Sequence, residues 1–422
     1  MVLYVSCFLP PIGVGGYAQN CAEVCDGLLE RGHSVNVLTS SYQADSIPTE
    51  GQIYRRLYLE NDLTFYSKIH FFSKWVSEEK KNKELIQRII QEKNPDIVFI
   101  WGMYGLSRTI PAYIEHLLPN QTVYYISDLW PINPSLHEMF WNDPARTKLR
   151  RIAKRLLSFW AWGILKTYRY PPRLQFNHVI FVSKAVETLL IKAGLSFKNS
   201  TIIYSGRNSS KFFCQRDYSQ FRDETHPVRL LYAGKLGHHK GVHTALEALS
   251  LLHAKSGERN IKFTIVGDGH PIYQEELEQL VNKHNLGNLV TFYGKVPHQK
   301  MTEVLHQNDI LLVPSICEDA LPGIIQEAML AGLIIIGSRR GGIPEMVFHN
   351  QTGLIFEAEN SKDLATQVNQ LLSNREYAVQ LGKRGQAFAL KEFTSATMIN
   401  NIESYLHQDQ FSKYFGDSTK HV

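Results

Sequence analysis

Short continuous runs of apolar residues recur along the chain, separated by stretches where apolar positions return every three or four residues. Runs at 2–7, 35–38, 97–100, 123–126, 179–182 and 201–204 predict strands. Between the first two, Cys21, Val24, Cys25, Leu28 and Leu29 repeat at helical spacing and predict a helix over 17–30, with Gly32 as its stop. This is a βαβ unit, for which a right-handed crossover is expected. Residues 85–91 predict a further helix, halted by Pro95. From 228 onward the rhythm is regular. Strands are predicted at 228–232, 261–266, 289–293, 310–313 and 333–336, with helices at 242–252, 273–283, 300–307 and 324–330. Strands that are apolar throughout belong to parallel sheets covered on both faces. The fold class is therefore α/β, with two such half-chains predicting two Rossmann-like domains facing across a cleft. Ser, Asn, Arg and Asp cluster at 204–225, where the boundary is expected.

The segment 131–172 breaks the rhythm. Trp141, Trp160 and Trp162 lie among Lys148, Arg150, Arg151, Lys154 and Arg155. A helix is expected from about Pro144, a residue suited to a first helical turn. Its apolar part, 156–165, fits either a core helix with a solvated basic face or an interfacial helix against an anionic bilayer.

Composition narrows the field. Of 422 residues, 44% are hydrophobic and 20% charged, which excludes a mostly disordered chain. The net charge of +5 is too small for a dedicated nucleic-acid binder. Cys7, Cys21, Cys25, Cys214 and Cys317 are scattered, with neither zinc nor disulfide spacing, as expected in a reducing compartment. No apolar stretch is long enough to span a bilayer, and the apolar N-terminus reads as a buried strand without a basic leader. A cytoplasmic location follows as the expectation, with 144–165 as the candidate peripheral contact on the inner membrane face.

Four strand ends carry candidate chemistry. Gly13, Gly15 and Gly16 lie between a strand and a helix, where backbone N–H groups can approach an anion, or where the chain simply turns tightly. The dinucleotide fingerprint fails because Ala18 stands where its third glycine would be, and no acid ends the second strand. The second end reads Gly234-Lys235-Leu236-Gly237-His238-His239-Lys240-Gly241; two long cations there can clamp a leaving diphosphate, or be solvated surface lysines. The histidines lack a third ligand at useful spacing, so no metal is expected. The third holds Glu318 and Asp319 before Pro322-Gly323, then Ile324 and Glu327 on a helix. Carboxylates there can take sugar and ribose hydroxyls, or merely cap the helix. The fourth is Gly337-Ser338-Arg339-Arg340-Gly341-Gly342-Ile343-Pro344-Glu345.

Together these motifs resemble the retaining glycosyltransferases of the GT-B fold, family 4, glycosyl transferases group 1. Gly15-Gly16, Arg31-Gly32-His33, Gly234-Lys235-Leu236 with Lys240-Gly241, Val266-Gly267-Asp268-Gly269, the acids Asp319 (or Glu318) and Glu327, Gly341-Gly342-Ile343-Pro344-Glu345 and Gly353-Leu354-Ile355 carry the resemblance in order. It implies an acceptor-binding domain over 1–205, a nucleotide-sugar-binding domain over 206–390, and a helix over 391–422 crossing back to the first. Three positions depart from the family pattern. Lys235 stands for the usual arginine, Ser127-Asp128 for His-Asp, and Ser205-Gly206-Arg207-Asn208 for Asn-Gly-Val-Asp. The sequence Asp128-Leu129-Trp130-Pro131 resembles members that make surface polysaccharides.

The resemblance implies front-face transfer from a nucleotide-diphosphate sugar to a hydroxyl of a glycan or lipid-linked acceptor, with UDP favoured and GDP-mannose as the alternative. Lys235 and Lys240 would stabilise the diphosphate, Asp319 or Glu318 the sugar hydroxyls, and Glu327 the ribose. Asp128 is the weak candidate for a first-domain carboxylate. Gly15, Gly16, Gly234, Gly267, Gly294, Val296, Gly323 and Ile324 would bring backbone against the donor. No Asp-x-Asp occurs, so neither metal nor cofactor is expected. Glu327→Ala is expected to weaken donor binding without unfolding the chain. The rival readings are a sugar-nucleotide epimerase or hydrolase, which needs no acceptor, and a non-enzymatic nucleotide-binding scaffold.

Overall fold

A computed structural model describes residues 1–12, 16–44, 51–144, 147–256, 260–408 and 411. The chain forms two compact units. One comprises residues 1–182, 186–203 and the chain beyond Met398; the other comprises Ser183–Ala185 and Tyr204–Met398.

The first unit holds a seven-stranded sheet: β1 (Val2–Ser6), β2 (Val35–Ser40), β3 (Ile53–Leu57), β4 (Ile97–Gly102), β5 (Thr122–Ile126), β6 (His178–Phe181) and β7 (Asn199–Ile202). Their order is β3-β2-β1-β4-β5-β6-β7, and every neighbouring pair is parallel. All five residues of β1 are buried, because helices cover both faces of a parallel sheet. After β1 comes helix α1 (Gly16–Glu30), which buries Ala18, Cys21, Val24, Cys25 and Leu28. It stops at Gly32, whose φ of +87° suits glycine, and the His33 N–H returns to the Leu28 carbonyl at 3.0 Å.

Several elements were not anticipated by the apolar pattern, three of them for plain reasons. Strand β3 reads Ile-Tyr-Arg-Arg-Leu; it is an edge strand with only Leu57 buried, so it has no need of an apolar run. The helix Thr109–Leu117 carries Pro111 in its first turn, and the strand Leu354–Phe356 has only three residues. The expected helix at 85–91 is the end of a longer one, Val76–Lys93, whose first half is largely polar. Helix α2 (Lys148–Thr167) starts shortly beyond Pro144. Ser135 and Glu138 form a capping box that starts a separate helix, Leu136–Asn142. Asp143 then takes an extended ψ of 127°, as a residue before proline prefers.

In the second unit β8 (Val228–Ala233), β9 (Ile261–Val266), β10 (Val290–Gly294), β11 (Ile310–Val313), β12 (Ile334–Ser338) and β13 (Leu354–Phe356) form a parallel sheet ordered β10-β9-β8-β11-β12-β13. One face packs Leu230, Phe263, Leu312 and Ile336 with Leu246 and Leu249. The other packs Leu231, Leu311 and Ile335 against Ile325, Ala328 and Met329 of helix α3 (Gly323–Leu330). The division between units falls within the last described long helix, α4 (Ser395–Leu406), after Met398. In the first unit Ile399 lies so close to Gly27 that a Cβ there would collide with it, and Glu403 receives Arg31 at 2.5 Å and meets His33 at 2.6 Å.

A satellite core of Phe71, Trp75, Trp141, Ala161, Leu165 and Tyr170 lies under α2. At its centre the Glu60 carboxylate accepts the Tyr170 hydroxyl and the Leu136 N–H. Nearby the His137 ring bonds Tyr66, whose hydroxyl oxygen also receives Trp141 Nε1–H at 2.9 Å. Burial pushes Glu60 up to about 8, against the pull of those two hydrogen bonds, and pushes His137 down to about 3. A carboxyl whose folded value is raised contributes stability that is complete below its unfolded value of 4.5 and is lost as pH rises through about 8. Glu60→Gln is therefore expected to flatten part of the fall in melting temperature over that window. Identical pH profiles for the two proteins would contradict the assignment.

Candidate functional site

In the second unit the chain runs outward from β8 through β9 to β10, and in the opposite direction from β11 through β12 to β13. The connections leaving β8 and β11 therefore part from each other, which opens a crevice at the carboxyl ends of these neighbouring strands. Both loops carry the charged motifs.

The two loops are stitched together by backbone. Ile316 and Cys317 donate their N–H groups to the His239 carbonyl at 2.9 and 3.1 Å. Gly241, at φ +68°, leaves no room for a Cβ against the Pro314 carbonyl oxygen. This contact brings Lys240 onto Asp319, where Nζ donates to Oδ1. The other oxygen, Oδ2, accepts the Ser315 hydroxyl at 2.6 Å. Lys240 and Asp319 thus form one partly buried pair, although they were assigned to different parts of the donor. Burial, and then the Asp319 charge, push the neighbouring Cys317 thiol up, so it stays protonated. Glu318 points elsewhere. Its Oε2 accepts the Gly341 N–H at 2.7 Å, and Arg340 lies 3.6 Å from its other oxygen. Lys235 is exposed, and its carbonyl accepts the Tyr232 hydroxyl at 2.8 Å.

Glu327 lies in α3, one turn beyond Gly323, and is buried. Its Oε1 receives Arg207 Nε at 3.2 Å and faces His298 Nε2 at 3.1 Å. The Arg207 guanidinium also lies against Gly323, so a side chain there would have to displace it. Neither Arg207 nor His298 was singled out as a site residue. Arg207 had been noted only as a departure from the family pattern, and nothing local signals a partner 120 residues away.

The predicted glycines meet one another. The Gly234 N–H bonds Val266 at 3.0 Å, and the Gly267 N–H bonds Gly294 at 2.9 Å. At φ +139° Gly267 approaches the Gly234 carbonyl too closely for a Cβ. Val296 and Ile324 are half-buried against the core on the α3 face of the sheet. In the first unit Gly16 opens α1, while Gly13 and Gly15 lie outside the described residues. Asp128, after β5, is exposed; its carboxylate accepts the Trp130 N–H at 2.7 Å, and desolvation by the surrounding chain pushes it upward.

The geometry adds to one expectation. Glu327→Ala removes the carboxylate paired with the buried Arg207 guanidinium, which keeps its bond to the Gly206 carbonyl, so it is expected to cost stability as well as binding. The loss should be up to about 3 kcal/mol, the lower end of the range for breaking a buried pair. Chemical denaturation of the full chain checks this, and an unchanged midpoint would contradict it.

Comparison with known proteins gives the family. Residues 14–211 match the Glycosyltransferase Family 4 model, and residues 216–388 the model for glycosyl transferases group 1. An N-acetyl-alpha-D-glucosaminyl L-malate synthase of Bacillus anthracis is 24% identical over 93% of both chains. An amylovoran biosynthesis glycosyltransferase of Erwinia amylovora is 27% identical over 46% of this chain and 48% of its own. Among solved structures, a glycosyltransferase of Rickettsia africae superposes with a TM-score of 0.70 at 18% identity over 99% of both chains. Anabaena HepE, solved with UDP, gives 0.66 at 17% identity over 96% of this chain and 99% of its own. With two adjoining family models taking in most of its length, and two parallel sheets of the GT-B type, this chain belongs to the family 4 glycosyltransferases.

Proposed function

We propose that the protein moves a sugar, with retention at the anomeric carbon, from a nucleotide-diphosphate donor to a hydroxyl of a glycan or lipid-linked acceptor in surface polysaccharide synthesis. A UDP-sugar is the favoured donor, as the UDP bound to HepE suggests by analogy. The observation that carries this reading is the Lys240–Asp319 pair at the parting of β8 and β11. A cation held there by a carboxylate is oriented before any ligand arrives, so it stabilises a leaving diphosphate with little reorganisation. Asp319 is assigned to the sugar hydroxyls in preference to Glu318, because it shares its position with Lys240 and Ser315 while Glu318 is engaged by Gly341 and Arg340. Exposed Lys235 is assigned as a second cation. Glu327, steadied by Arg207 and His298, is assigned to the ribose. In the front-face route the departing phosphate accepts the proton of the acceptor hydroxyl as the new glycosidic bond forms.

Charge on the diphosphate grows as the glycosidic bond breaks, so Lys240 acts mainly on the transition state. Lys240→Ala is expected to lower kcat roughly 100-fold to 1000-fold with a smaller change in the donor KM. Lys235→Arg retains most of the rate. A change confined to KM, or an inverted product anomer by proton NMR, would overturn the mechanism. Donor identity is read from a thermal-shift panel of UDP-, GDP-, ADP- and dTDP-sugars, with stabilisation by a UDP-sugar alone as the expected result. Because two lysines supply the positive charge, transfer is also expected to persist in excess EDTA; loss of activity restored by magnesium or manganese would refute that.

A further inference from the structure

Helix α2 is amphipathic in the reverse of the usual sense. Ala161 and Leu165, both 0% exposed, face the satellite core. On the opposite side Ile152, Leu156, Phe159, Trp160 and Gly163 recur at helical spacing and form a stripe turned to solvent. Phe159 is 76% exposed and Trp160 68%. A surface helix ordinarily turns its apolar stripe to the core. The expected alternative, a buried helix with only its basic face solvated, is thereby excluded. The exposure is not confined to α2. Phe65, Ile69, Phe72, Met139 and Tyr168, from the same satellite, are exposed as well, so this region holds most of the large apolar side chains that the described surface presents.

Charge selects the occupant. Helix α2 contains no acidic residue. Arg150, Arg151, Arg155 and Lys166 are exposed, and none forms an ion pair with a carboxylate among the described residues. Lys154 is already engaged, with its ammonium on the Asp143 carbonyl and 4.1 Å from the Phe140 ring centre. Beside the stripe is an open concavity of about 1110 Å³, lined by Leu156, Phe159, Trp162 and Gly163 together with Arg155 and Lys166. A second copy of this helix would bring no carboxylate to these cations, since α2 contains none. An anionic headgroup layer instead satisfies the cations, while the hydrocarbon boundary takes the aromatic stripe.

We propose that the exposed face of α2 docks the protein on an anionic phospholipid bilayer, with Phe159 and Trp160 entering the headgroup boundary and Arg150, Arg151, Arg155 and Lys166 on the lipid phosphates. No described helix is long and apolar enough to cross a membrane, so this docking is interfacial. The surface belongs to the first unit and does not depend on the donor assignment.

The test is flotation of the full chain with vesicles of phosphatidylcholine alone and of phosphatidylcholine with about one third phosphatidylglycerol. Binding is expected to the anionic vesicles only, and to weaken with salt. Phe159→Ser with Trp160→Ser, and separately Arg150→Ser with Arg151→Ser and Arg155→Ser, are each expected to lower partitioning roughly ten-fold or more. All five side chains are exposed, so the fold should persist by circular dichroism. Absence of binding to anionic vesicles would overturn the proposal, as would unchanged partitioning of both variants. A dimer in sedimentation that dissociates in the aromatic variant would also overturn it, by showing that a second copy covers the stripe.

Discussion

All strands in each sheet run parallel to their neighbours, and the direction of the connections reverses once, between β1 and β4 in the first unit and between β8 and β11 in the second. The rest depends on that reversal. Parallel strands must be joined by crossovers, so their carboxyl ends all open on one edge. Only at the reversal do two neighbouring loops diverge and leave an opening between covered faces. The loop after β8 carries both candidate lysines and the loop after β11 both candidate acids. Chemistry can therefore be built there without disturbing a sheet that is buried on both sides.

Close backbone approach turns this opening into a site. Gly241 against Pro314, Gly341 against Asp319 and Gly267 against Gly234 each exclude a Cβ. They draw the loops after β8, β9, β11 and β12 into one layer, so that Lys240 meets Asp319 and Gly341 meets Glu318. The glycines thus act through the acids and bases they bring together. Glu327 shows the converse. It is fixed by side chains, Arg207 and His298, that come from distant segments, and its burial gives it a structural part besides the binding role proposed for it.

The satellite of the first unit follows a different rule. Its core is aromatic and holds a buried carboxyl and a buried imidazole that burial drives toward their neutral forms. This small packed base supports α2 while leaving the helix's apolar stripe uncovered. Its support and its exposed stripe are contiguous, which suits an element that must stay folded while presenting apolar surface.

The sequence by itself determined the α/β class, most strands, and the strand ends where charge gathers. These are local signals: continuous apolar runs, glycines at turns, and acids next to a proline-glycine step. It also carried the family, because the motifs appear in order. Tertiary structure alone decided which residues meet. Between the adjacent acids Glu318 and Asp319 the spacing left the choice open by one position, and only the approach of the neighbouring loops sent one to Lys240 and the other to Gly341. Arg207 found Glu327 across 120 residues, a pairing with no periodicity to reveal it. The direction of the α2 stripe was likewise undecided, since an amphipathic pattern fixes that two faces differ but not which one the core will cover. That choice belongs to packing, here to Ala161 and Leu165, the small and branched residues that fit against Phe71 and Trp75.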